Sequence, residues 1–157
     1  MGRLIIILLI GLHVLDTPDF LTERTMQSAL CYSFFHASWW HLAVNCIAIW
    51  GLFKTCKPCT DLLYAYFIAV LVAPLSSLPP IGFSNIIYAM IGLRTPALSS
   101  PWWRKPIVLF FLFVTVAMIP IPQVAGLTHT VAFALGVGCA SLKRFYHKLT
   151  GDVRRYL

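Results

Sequence analysis

Charged residues are so sparse along this chain that they act as boundary marks. None falls between 62 and 93 and none between 106 and 142, which leaves uncharged runs of 32 and 37 residues, where a helix spanning a bilayer needs about 20. Each run is too long for one helix, and each contains breakers. Ser76-Ser77-Leu78-Pro79-Pro80 interrupts the first and Ile119-Pro120-Ile121-Pro122-Gln123 the second, both suited to a turn. The pattern predicts four spans, at about 62–78, 84–93, 106–120 and 124–142. A fifth uncharged stretch, 34–53, enters through Phe34, Phe35, Trp39 and Trp40, as an interfacial aromatic belt would. The sixth, 4–15, is apolar but covers only about 18 Å at the helical rise. With Arg3 ahead of it a signal-peptide core is the alternative, although Asp16 follows at once and no small-x-small cleavage site is present.

Composition sharpens this picture. The chain is 59% hydrophobic, 14% aromatic and 11% charged, with a mean hydropathy of +0.82, whereas soluble domains are about one quarter charged. A water-soluble globule is not expected. The expectation is an all-α membrane protein, a six-transmembrane-helix bundle forming one domain over 1–157 with a basic tail at 143–157.

Twelve Lys and Arg oppose five Asp and Glu, for a formal charge of +7. With both termini in the cytoplasm, eleven of the twelve basic residues lie inside and only Arg24 lies outside, the asymmetry that resistance of Lys and Arg to translocation produces. The orientation therefore expected has cytoplasmic N- and C-termini, and the expected location is as an integral protein of a bacterial inner membrane. The tail from Lys143 to Arg155 would meet anionic lipids, and nucleic acid is not needed to explain it. Five cysteines, at 31, 46, 56, 59 and 139, form no disulfide framework. Cys56-Lys-Pro-Cys59 has no second pair and reads as an ordinary loop rather than a zinc or redox site.

Polar groups inside apolar spans are costly and are candidates for function. His36, His41 and Asn45 lie in the second span, Ser84 and Asn85 open the fourth, and His129 lies in the sixth. His41 and Asn45 share a helix face at i, i+4, as do Ser84 and Tyr88. His129 shares its face with Ala132 and Gly136, small residues that let another helix approach closely. Gly82, two residues before Ser84, would allow a tight loop to present the hydroxyl at a helix N-terminus.

A serine beside a neutral imidazole is an acyl-transfer pair. The five acidic residues, at 16, 19, 23, 61 and 152, lie outside every predicted span, so a Ser and His site here is a dyad. The Ser84 backbone N–H with the His41 and Asn45 side chains would hold the oxyanion. Singly, each residue has an ordinary structural role: a helix serine bonds its own backbone, an asparagine joins helices, a histidine satisfies the core. Together, at one depth on three helices, they favour catalysis. Metal binding is disfavoured, because no His-x-x-x-His or carboxylate partner accompanies the histidines. His13 and His147 look incidental.

These residues carry a resemblance. His36-Ala-Ser-Trp-Trp-His41-Leu-Ala-Val-Asn45, Gly82-Phe-Ser84-Asn-Ile-Ile-Tyr88 and His129-Thr-Val-Ala132-Phe-Ala-Leu-Gly136 are similar, in order and spacing, to the three blocks of the rhomboid intramembrane serine proteases. The likeness runs from about 30 to 142. It implies a rhomboid-like six-helix bundle that needs no cofactor or metal and cleaves peptide bonds of membrane-anchored substrates. In that family the counterpart of Ser84 is the nucleophile and that of His129 its base, while those of His41 and Asn45 serve the oxyanion. The counterpart of Tyr88 packs on the catalytic histidine, and that of His36 is a structural hydrogen bonder. The implied partners are transmembrane protein substrates and membrane lipids; the oligomeric state is left open. Four positions depart from the family pattern: Asn85 and Ala132 stand where glycines are usual, and Gln27 and Ser28 stand about where a Trp-Arg pair is usual. The alternative from another class is a catalytically inactive rhomboid-like protein that binds transmembrane helices for sorting or degradation.

Overall fold

The computed structural model describes residues 1–15, 25–54, 59–76, 81–95, 113 and 126–150. Six helices order them: α1 Gly2–Val14, α2 Met26–Cys31, α3 Trp39–Lys54, α4 Cys59–Val72, α5 Ser84–Arg94 and α6 Gly126–Leu149. Short 3-10 turns follow α2, at Tyr32–Phe34, and α4, at Ala73–Leu75.

Local chemistry explains most of these boundaries. Thr25 caps α2 reciprocally: its hydroxyl accepts the Ser28 N–H at 3.1 Å, and the Ser28 hydroxyl accepts the Thr25 N–H at 3.0 Å. Phe35 is extended, so the chain enters α3 only at Trp39, where the Ser38 hydroxyl accepts the His41 N–H at 3.2 Å. Pro74 lacks a backbone donor and α4 tightens into its 3-10 turn there. The end of α6 carries Lys148 in its last turn, a cation that suits the negative pole of the helix.

α5 is the centre of the bundle. Asn85 to Met90 and Gly92 are all buried, which requires neighbours on every side, and α3, α4 and α6 supply them. Asp61, in the first turn of α4, accepts from Arg94, in the last turn of α5, at 3.2 Å. Each charge complements its own helix dipole while fixing the two helices antiparallel. α1 lies along α3, with the Arg3 guanidinium 5.3 Å from the Trp50 ring centroid. A Cβ built on Gly2 would stand 2.8 Å from the Phe53 Cβ, so the start of α1 closely approaches the end of α3.

The expected six-transmembrane-helix bundle needs correction. α1, α3, α4 and α5 have 13, 16, 14 and 11 residues, short of the roughly 20 that cross a bilayer. α6 has 24, but Thr128, His129, Thr130, Ser141, Lys143 and Arg144 dilute its apolar content. Among the described residues no helix is long and apolar enough to cross a membrane. The integral inner-membrane placement, the topology with cytoplasmic termini and the description as a transmembrane, intramembrane-cleaving protein are corrected with it. The span expected at 106–120 lies outside the described residues apart from Phe113, which is helical.

Smaller differences have local causes. The stretch 34–53 starts later, because His36 and its neighbours are drawn into contacts described below. α6 continues into what was expected to be a basic tail, since exposed Lys143, Arg144 and Lys148 are good helix formers.

Candidate functional site

The approach to α5 is held from both sides. Gly82 has φ +126°, a conformation open mainly to glycine, and it turns the chain so that its N–H donates to the Tyr32 carbonyl at 3.1 Å. The next N–H, that of Phe83, donates to His36 Nε2 at 3.4 Å. Ser84 then begins the helix. A Cβ at Gly82 would lie 2.5 Å from His41 Cε1 and 2.8 Å from His41 Nε2, so only glycine lets the His41 ring lie against this loop.

Ser84 Oγ lies 2.8 Å from His129 Nε2. The histidine comes from the first turn of α6. Its ring stacks on Tyr88, centroids 4.6 Å apart and planes 18° from parallel; Tyr88 stands one turn beyond Ser84 on α5. Burial lowers the His129 pKa from 6.5 to about 4, and the nearby His41 adds to the shift. The imidazole is therefore neutral at pH 7. If Nδ1 carries its proton, the Nε2 lone pair faces the serine hydroxyl, the arrangement a general base requires. Asp61 is the only Asp or Glu among the described residues, and it is engaged by Arg94, at the other end of α5. No carboxylate among the described residues stands behind His129.

His36 is 2% exposed. Because Nε2 accepts from Phe83, its neutral ring carries the proton on Nδ1, and this buried atom has no hydrogen-bond partner among the described residues. Burial lowers its pKa to about 4, with His41 and His13 contributing by repulsion. The His36 and His41 rings are 5.3 Å apart, and His13 packs edge-on against Trp39 at 4.4 Å and lies 6.4 Å from His36. His13, which looks incidental in the sequence, is thus a neighbour of the site. His147 lies on the last turn of α6, away from the first-turn position of His129.

The expected oxyanion donors are placed differently from one another. His41 lies against the loop and close enough to His129 to affect its titration. Asn45 is 3% exposed, and its Nδ2 donates at 3.0 Å to the His41 carbonyl, so one amide hydrogen is spent on its own helix. Asn85, which follows Ser84, is 1% exposed, and its Nδ2 donates at 3.1 Å to the Tyr32 hydroxyl. It packs inward rather than standing open beside Ser84. Ala132 is fully buried.

Sequence reasoning gave Tyr32 no role. In the structure its hydroxyl donates to the Ala69 carbonyl at 2.7 Å and accepts from Asn85, while its own carbonyl accepts from Gly82. Nothing in the sequence marks it out, because Tyr32 is one aromatic among several in Tyr32 to Trp40. Among the described residues no three His, Cys, Asp or Glu side chains are grouped so as to hold a metal ion. Comparison with models of known protein families gives no match for this chain, and comparison with curated proteins gives none either.

Proposed function

We propose that the chain is a serine hydrolase working through a Ser84 and His129 dyad, and that its substrates are peptide bonds in membrane-anchored polypeptides. The observation that carries the reaction class is the 2.8 Å contact between Ser84 Oγ and His129 Nε2, made by side chains from two helices around a buried, neutral imidazole. The substrate class comes from the resemblance to the rhomboid proteases. Large apolar side chains left exposed on α3 and α4, such as Trp40, Ile47, Phe67 and Leu71, agree with a partner that is itself apolar.

In the first step His129 Nε2 takes the hydroxyl proton as Ser84 Oγ bonds to the carbonyl carbon, whose oxygen becomes an oxyanion. The Ser84 backbone N–H, His41 and Asn45 are the donors assigned to that charge. The C–N bond then breaks, and the proton on His129 goes to the departing amine, leaving an ester on Ser84. Water attacks the ester and gives a proton to His129. Breakdown of that second intermediate releases the acid and returns the proton to Ser84. Tyr88 keeps the ring plane fixed throughout.

Incubation of the purified chain with a polypeptide carrying one transmembrane segment tests this reading. Cleavage is expected with the wild type and not with Ser84→Ala. Equal cleavage by both would overturn the mechanism. Absence of cleavage by a folded wild type, with retention of the substrate, would favour the inactive binding protein.

A further inference from the structure

One residue grips the chain on both sides of the nucleophile. The Tyr32 carbonyl accepts the Gly82 N–H at 3.1 Å, two residues before Ser84, and the Tyr32 hydroxyl accepts the Asn85 Nδ2 at 3.1 Å, one residue after it. The same hydroxyl donates at 2.7 Å to the Ala69 carbonyl on α4. Tyr32 and Asn85 are 2% and 1% exposed, so neither bond can be replaced cheaply by water.

The two attachments differ in kind. The bond to Gly82 uses only backbone and survives any side-chain change. The bond to Asn85 needs both side chains, and it ties the first turn of α5 through Tyr32 to the body of α4. Residues flanking Ser84 are thereby referred to a helix that contributes nothing to the dyad. A hydroxyl displaced even slightly loses its alignment with His129, and misplacement of reacting groups by about 1 Å costs on the order of a hundredfold in rate.

Resting on the hydrolase reading above, we infer that Tyr32 and Asn85 form a positioning pair whose side-chain hydrogen bond sets the place of Ser84 relative to His129. Asn85, polar where the family that this chain resembles has glycine, finds its partner in the Tyr32 hydroxyl. The pair touches no substrate. It acts on the rate at which the Ser84 hydroxyl attacks and leaves binding of the reactive ligand unchanged.

The test uses saturation kinetics of phosphonylation of the purified full chain by a fluorophosphonate, in which Ser84 Oγ bonds to phosphorus and fluoride leaves; these kinetics separate the maximal rate from the half-saturating concentration. Tyr32→Phe removes only the hydroxyl, and Asn85→Ala breaks the same bond from the other side. Each is expected to lower the maximal rate about tenfold or more, with half-saturation within about twofold of wild type. The double variant should be no slower than the slower single one, because both remove one shared bond. Wild-type phosphonylation rates in either folded single variant would overturn the pairing, even if its melting temperature fell. So would additive losses in the double variant, or a change confined to half-saturation. If the wild type is not phosphonylated at all, the hydrolase reading itself fails and the positioning role with it.

Discussion

Gly92 on α5 and Gly136 on α6 face each other where the helices bearing Ser84 and His129 cross. A Cβ on either would stand 3.1 Å from the Cα of the other, and one on Gly136 would collide with the Ala89 carbonyl oxygen. The obstacle is backbone, so it can be relieved only by moving a helix. Gly136→Ala is expected to lose about 1–3 kcal/mol of stability, the usual cost of overpacking, and to separate Ser84 from His129. Denaturant unfolding measures the first effect and the rate of serine acylation the second. Unchanged values of both would mean that the helices do not meet there.

Tyr88 gives a subtler case. Its stacking on His129 is of a kind worth about 0.5–1.5 kcal/mol beyond area burial. Tyr88→Phe keeps the ring and should retain most activity. Tyr88→Ala frees the imidazole to rotate and should slow turnover about tenfold or more. Measuring kcat and KM for both variants checks this, with the loss expected in kcat.

The two side-chain donors proposed for the oxyanion can be tested one at a time. Removing one preorganised donor costs about 10² to 10³ in turnover, and His41, lying against the loop before Ser84, is expected to show that loss in His41→Ala. Asn45 already donates to the His41 carbonyl. If its second amide hydrogen serves the oxyanion, Asn45→Ala will match His41→Ala in kcat. A fall in melting temperature with kcat unchanged would assign Asn45 to holding α3 alone.

Part of this arrangement is legible in the sequence, for identifiable reasons. Helical spacing gave the shared faces of His41 with Asn45 and of His129 with Ala132 and Gly136, and charge-free runs bounded by proline located α4, α5 and the start of α6. The membrane span count did not follow, because apolar length in sequence is not helix length: 34–53 gives up its first residues to the His36 contacts, and 62–78 is broken by Pro74. α2 was missed although Thr25 and Ser28 carry its cap. Tyr32 and His13 could not be found at all, since their importance lies in contacts across 53 residues to Asn85 and between α1 and the His36 turn, which no local spacing records.

Acid should affect activity and stability in different windows. Protonated His129 cannot accept from Ser84, so kcat/KM is expected to hold down to about pH 5 and to fall through about pH 4, the lowered pKa that burial gives this histidine. Stability responds earlier. His36 and His129 both titrate near 4 when folded, against the ordinary 6.5, so between these values the unfolded chain binds more protons. The unfolding free energy should therefore decline as pH drops from about 6.5 towards 4, and level off below as far as these two groups are concerned. Denaturant titrations at several pH values measure the decline. A rise in stability over that window would contradict the burial of both rings.

Labelling with a fluorophosphonate followed by peptide mass spectrometry tests the contact between Ser84 and His129 most directly. The expected result is a covalent adduct on Ser84 in the folded wild type, no adduct in Ser84→Ala, and strongly slowed labelling in His129→Ala. Equal labelling of wild type and Ser84→Ala, or none in a folded wild type, would contradict it.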